Sequence, residues 1–187
     1  MLSSRKVYKS GINITEQSKL SPNCIYSKNI LKSEIELQKH LPITRLLVLR
    51  ISNLIGYANS SSKKILKTFS YSFFENAKKG FILESKNIFK DFIGVNKFSE
   101  IVYKLILKNS YGIYNISIGQ KIYLKKIIKW LNFHNKKKLI EIKFSKNHNS
   151  DCFTLSNDKL MKQISVNNRQ IDLKKECLNL SKMYFNK

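Results

Sequence analysis

Residues 46–56 read Leu-Leu-Val-Leu-Arg-Ile-Ser-Asn-Leu-Ile-Gly. Leu46 to Leu49, then Ile51, make a short and nearly continuous apolar run. Such a run suits a strand buried on both faces of a parallel sheet. Upstream, Tyr26 to His40 has helical spacing, with Ile30, Leu31, Ile35 and Leu37 apolar and Lys28, Lys32, Glu34, Glu36 and Lys39 charged. Further back, Met1-Leu2-Ser3-Ser4 runs into Val7-Tyr8 like the end of a buried strand, and a polar stretch follows to about Asn23.

Downstream the alternation continues. Ser62 to Lys79 reads as a helix stopped by Gly80, with Ile65, Leu66, Phe69, Phe73 and Phe74 on one side. Phe81-Ile82-Leu83 and Phe92-Ile93 with Val95 read as short extended pieces, and Phe98 to Leu107 as a helix ending near Asn109. Tyr111 to Ser117 alternates as a strand. Leu124, Ile127, Ile128 and Leu131 mark an amphipathic helix, and Leu139 to Phe144 alternates as a half-buried strand. Helices near Asp158–Ile164 and Asp172–Tyr184 close the chain. Helices alternating with short strands define an α/β protein.

Composition sets outer bounds. At 187 residues, 42% apolar and 25% charged, the chain is globular in type. Its net charge of +23 would ordinarily suggest nucleic acid. Yet 31 of the 35 basic residues are lysine, and asparagine and isoleucine are abundant too, which is the mark of an AT-rich coding sequence. Arginine, the residue of bidentate phosphate and base contacts, is confined to Arg5, Arg45, Arg50 and Arg169. Nucleic acid is therefore not the expected partner. The densest basic stretch is Lys125, Lys126 and Lys129 with Lys136-Lys137-Lys138, interleaved with Trp130 and Phe133. It reads as a surface helix and its trailing loop, with Trp130 partly packed. Cys24, Cys152 and Cys177 lack CxxC pairing, and His40, His134 and His148 have no metal-ligand spacing. No signal peptide or spanning segment is legible, so cytoplasm is expected and a membrane partner is not.

Several short motifs occur in one order. Ser3-Ser4-Arg5-Lys6-Val7-Tyr8 is followed by Glu16, Pro22, Tyr26-Ser27-Lys28-Asn29 and Glu34. Then come Arg50-Ile51-Ser52-Asn53-Leu54-Ile55-Gly56, Lys90-Asp91-Phe92-Ile93-Gly94-Val95, and Gly112-Ile113-Tyr114-Asn115-Ile116-Ser117 with Gly119. Together they resemble the extended short-chain dehydrogenase/reductases, NAD-dependent epimerases, dehydratases and reductases of nucleotide sugars, over residues 1 to about 165. The resemblance implies a catalytic serine at Ser4, a tyrosine base at Tyr26 and a substrate-contacting asparagine at Asn53. Asn53 reads equally well as a turn asparagine satisfying its own backbone. In that chemistry a phenolate takes a hydroxyl proton while hydride leaves for NAD or NADP. A lysine one helical turn beyond the tyrosine favours the phenolate by its charge.

The sequence departs from the family at two places. The lysine position holds Ile30, and Lys28 and Lys32 lie off the tyrosine's face of the helix. None of the six glycines forms the glycine-rich turn that cradles a dinucleotide. The expected architecture is accordingly an incomplete Rossmann-like parallel sheet, its amino-terminal βαβ units missing, plus a small α/β substrate-binding region. Residues 1–60 read as a remnant of the dinucleotide-binding domain with a degenerate Ser/Tyr/Lys site, and 61–187 as the sugar-nucleotide-binding region. The expected function is that of a truncated NAD(P)-dependent nucleotide-sugar enzyme, inactive alone. The cofactor would be NAD or NADP, the substrate a nucleotide sugar, and a separate chain or self-association would complete the fold. The alternative is a basic, non-enzymatic binding module for a polyanion.

Overall fold

A computed structural model describes residues 1–56, 69–79, 88–136, 151–165 and 170–185 in full, and the backbone of 81–84 and 141–144. Residues 62–68, Gly80, Lys137-Lys138 and 139–140, on which parts of the sequence reading fall, lie outside the described residues. In chain order the elements are β1 (Leu2–Ser4), α1 (Ile25–His40), β2 (Leu47–Ile51), β3 (Asn53–Ile55), α2 (Phe69–Lys78), β4 (Phe81–Glu84), β5 (Phe89–Lys90) and β6 (Phe92–Gly94). They continue with α3 (Val95–Leu107), β7 (Gly112–Ile116), β8 (Ile122–Tyr123), α4 (Leu124–Leu131), β9 (Glu141–Phe144), α5 (Asp158–Gln163) and α6 (Gln170–Phe185). The α/β alternation read from the sequence is the observed one.

Strand β2 is the centre of a parallel sheet ordered β1-β2-β7. Leu49 sits opposite both Leu2 and Tyr114, and Arg50 opposite both Ser3 and Asn115. Val48 and Leu49 are buried, as a central parallel strand demands. Helix α3 covers one side: Ile101 and Leu105, with Phe98 and Val102, pack against Leu49, Ile93, Tyr114 and Ile116. Val95, expected in an extended segment, is instead the first residue of α3. The Glu176 carboxylate, reaching across from α6, accepts from Val95 N at 3.1 Å and so starts the helix early. Asn109 (φ 47°) ends it in the left-handed conformation, with Asn109 N on Ile106 O and Ser110 N on Leu105 O, both 2.9 Å.

The inner face of α1 is mixed: Ile30 and Leu31 are half-buried against the cluster of Val7, Tyr8, Ile14, Phe153 and Leu155, as their periodicity expects, but polar residues lie deepest. Its fully buried residues are Ser27 and Glu34, while Ile35 is exposed. A partner for Glu34 on the sheet, described below, turns the helix that way. A second core joins α2, α4 and α6, where Phe73, Phe74, Ile127, Trp130, Leu131, Leu173, Cys177 and Leu180 are buried together. Trp130 is thus a core residue and Phe133 beside it is exposed. No described helix is long and apolar enough to cross a membrane.

Candidate functional site

The carboxyl ends of β1 and β2 bring the sequence-derived candidates into one neighbourhood. Ser4 closes β1 and caps a short 3₁₀ turn at Arg5–Val7, its Oγ accepting from Lys6 N at 3.3 Å. Tyr26 lies in the first turn of α1 and is 45% exposed, with Lys6 Nζ 6.0 Å from its ring centre. Lys6 is therefore next to both Ser4 and Tyr26. Ile30, one turn beyond Tyr26, packs half-buried on the cluster of Val7, Tyr8, Ile14, Phe153 and Leu155. Lys28 and Lys32 are exposed.

Asn53 lies in β3, not in a turn, and β3 pairs in parallel with β6. Its Nδ2 donates to the Asp91 carbonyl at 3.1 Å. The Asp91 side chain is fully buried, and its Oδ2 accepts from Leu155 N at 3.0 Å. Burial pushes its pKa up to about 7, although the Leu155 N–H, the Ser117 hydroxyl and the N–H groups of Phe92 and Gly119 all favour the carboxylate.

The groups that sequence reasoning did not single out supply the charge. Arg5 is buried, stacks over Phe153 at 3.9 Å and holds Asp151 with both terminal nitrogens, Nη1 to Oδ1 being 2.9 Å. Burial lowers its pKa to about 10. Lys90 Nζ is 4.0 Å from the same carboxylate. Burial first, then the charges of Arg5 and Lys6, push the Lys90 pKa down. The half-buried Cys24 thiol sits lower than usual, chiefly through hydrogen bonding with Ser27 and also through the Lys6 charge. Arg5 and Lys90 thus meet the carboxylate of Asp151, with Lys6 close enough to Lys90 to bias its charge. Such a cluster favours an anion. The motif residues carried a weak signal for it, since Arg5, Lys6 and Lys90 all lie within the quoted segments, but Asp151 lies in none of them.

Behind α1, a cavity of about 500 Å³ is lined by Glu16, Leu20, Leu31, Ile35, Gln38 and Arg50, among others. It touches neither Ser4, Tyr26 nor Asn53.

A parallel sheet with a helix packed on it is an α/β arrangement. Solved structures bear out the fold. The chain superposes on the UDP-N-acetylglucosamine 4-epimerase of Methanobrevibacter ruminantium, in complex with UDP-N-acetylmuramic acid, with TM-score 0.79 and 15% identity over 100% of this chain and 62% of that one. It matches RMD of Pseudomonas aeruginosa, complexed with NADPH, with TM-score 0.77 and 18% identity over 99% of this chain and 65% of that one. For the dTDP-glucose 4,6-dehydratase of Bacillus anthracis, in complex with NAD, the values are 0.74 and 17% over 98% and 60%. The fold is that of part of the NAD-dependent nucleotide-sugar epimerases and dehydratases, and the chain spans about 62% of the length of the first of them. No family model and no curated sequence matches it.

Proposed function

We propose that this chain is the nucleotide-sugar-binding part of an NAD(P)-dependent epimerase, dehydratase or reductase, and that as this chain alone it does not transfer hydride. The observation that carries the reading is the convergence of Arg5, Lys6 and Lys90 beside Ser4 and Tyr26. A diphosphate linkage placed there would meet positive charge on one side, with the sugar directed toward Ser4 and Tyr26. Residues 1–60 would contribute the Ser4–Tyr26 wall, and the region from 61 onward the Lys90 wall. Isoleucine at position 30 and the lack of a glycine-rich turn in the sequence speak against cofactor retention. Were a nicotinamide cofactor supplied, it would accept or return the hydride, while the residues at hand would bind and orient the sugar.

Calorimetric titration of the folded chain tests both halves of the reading. UDP- or dTDP-sugars should bind, and Lys90→Gln should weaken them about tenfold or more, as expected for loss of a charge-assisted phosphate contact. NAD and NADP should give no heat. Undiminished nucleotide-sugar binding by Lys90→Gln would remove the cluster from the site, and micromolar NAD binding would overturn the inactivity of the lone chain.

A further inference from the structure

The opposite end of the same sheet carries a surface of different character. Because β1, β2 and β7 run parallel, the residues that lead into β2 and β7 lie together at the amino end of the sheet, away from Ser4 and Asn53. Gly112 N donates to Leu46 O at 2.7 Å and fixes the starts of these two strands side by side. Here Leu41 and Ile43 before β2, Tyr111 before β7, and Ile106 and Leu107 at the end of α3 are all exposed, the last two at 61% and 63%.

Cations border this tip. Lys104 Nζ and Lys108 Nζ donate to the carbonyls of Ser165 and Gln163 at 2.9 and 3.0 Å, and Lys159 Nζ to that of Ile113 at 2.7 Å. Lys108 and Lys159 thereby hold exposed amines at the rim, whereas Lys104 is half-exposed and paired with Glu100 at 3.0 Å. Arg45 lies exposed between Ile43 and β2, and Glu36, the acid near the end of α1, is paired with Lys39 at 2.9 Å. Lysines occur all along this chain, so charge alone singles out no face. Their coincidence with five exposed apolar side chains does.

We propose that this end of the sheet is a docking surface for an anionic lipid bilayer. The apolar tip would enter the headgroup boundary and the lysine rim would meet acidic headgroups, the two components that peripheral attachment combines. A tyrosine at the rim suits the interface. A net charge of +23 opposes docking of a second copy on the same face. The sequence reading expected no membrane partner because no spanning segment exists, and surface attachment needs none. In this orientation the Ser4–Tyr26–Asn53 end faces water.

Co-sedimentation of the full chain with vesicles tests the proposal. The probes are phosphatidylcholine alone and phosphatidylcholine with roughly one-third phosphatidylserine, at about physiological salt. Binding should require phosphatidylserine. The Ile106→Ser/Leu107→Ser/Tyr111→Ser variant should bind about tenfold more weakly, since both components are needed for stable attachment. Its circular dichroism should be unchanged, because these side chains are exposed. Lys108→Gln/Lys159→Gln should also weaken binding, which keeps the test decisive if the apolar variant misfolds. Lys125→Gln/Lys126→Gln/Lys129→Gln, removing charge on α4, should bind like the original chain. Equal weakening by the α4 variant, or full binding by the apolar variant, would reduce the effect to diffuse charge and overturn the proposal. So would a lipid-free dimer that the apolar variant dissociates, or tight binding to an acidic polypeptide in preference to vesicles.

Discussion

Arg50 Nη2 lies 2.6 Å from Glu34 Oε2, with the two side chains 3% and 0% exposed. The pair ties the middle of α1 to the middle of the sheet, and it does not stand alone. Arg50 Nε also donates to Glu34, and Ser3 Oγ donates to the same carboxylate from β1. Arg50 Nη1 donates to Tyr8 Oη at 2.8 Å, and Tyr8 Oη to Asn115 Oδ1 at 2.9 Å. Asn115 in turn donates to the carbonyls of Ile14 and Ser156 and, from its backbone, to Glu16. Burial, outweighing the help of Arg50, holds the Tyr8 phenol up at about 12.

Removing one partner of such a pair leaves a buried charge uncompensated, at about 3–5 kcal/mol. Glu34→Leu and Arg50→Met should each show that loss in denaturant unfolding. Glu34→Leu/Arg50→Met should lose much less than the sum of the single effects, because no lone charge remains. Additive losses would mean that each residue acts through separate contacts.

The motif residues Glu34, Arg50, Asp91 and Asn115 were visible in the sequence, and so was the alternation that sets the α/β fold. Their pairing was not. An apolar periodicity places Ile35 inward, whereas the Glu34–Arg50 bond across 16 residues rotates α1 so that Ser27 and Glu34 face the sheet. Periodicity records hydrophobicity and carries no information on which charged residue meets which. The same limit hid Asp151, which reaches Arg5 from 146 residues away, and Glu176, which starts α3 from 81 residues away. Asn53 read from the sequence as a substrate-contacting or a turn asparagine, whereas it pairs as a strand residue with Phe92, a long-range fact.

Ile30→Lys would place the family's lysine where the sequence lacks it, yet the position belongs to a core. Ile30 packs on Val7, Tyr8, Ile14, Phe153 and Leu155. A lysine there loses apolar burial and must carry its amine out to water, so a loss of about 1–3 kcal/mol is expected. Thermal unfolding should show the drop, and NAD or NADP reduction should remain undetectable. A variant as stable as the original chain would show that Ile30 contributes nothing to that cluster.

Asp91 should make stability fall as pH rises. Its folded pKa, raised to about 7 by burial, lies above the unfolded value. Between the two the native state binds the extra proton, so the contribution is full below about pH 4 and is lost as pH climbs toward 7. Asp91→Asn keeps an acceptor for Leu155 N and removes the titration. The stability of the original chain minus that of Asp91→Asn should therefore decline across this window and be flat above it. Taking the difference cancels Glu176, whose pKa burial also raises, and Glu100, lowered by Lys97 and Lys104. A flat difference from pH 4 to 7 would show that Asp91 stays ionised in the fold.

Gly94 and Glu176 should prove coupled. The residue before α3 provides no side-chain cap, and no acid lies in the first turn of that helix. Glu176 supplies both missing parts, accepting from Val95 N and lying at the positive end of the helix dipole. A Cβ on Gly94 would collide with that carboxylate and its carbon. The φ of Gly94 is −77°, so alanine is conformationally acceptable there and any cost comes from displacing Glu176. Glu176→Ala should cost about 1 kcal/mol, the worth of a cap. Gly94→Ala should cost a similar amount by driving the carboxylate away. In the Glu176→Ala background the space is empty, so Gly94→Ala should then cost little, and the double variant should match either single one. The measurement belongs at the alkaline end of the stable range, because burial raises the Glu176 pKa. Strict additivity of the two substitutions would show that α3 is capped by something other than Glu176.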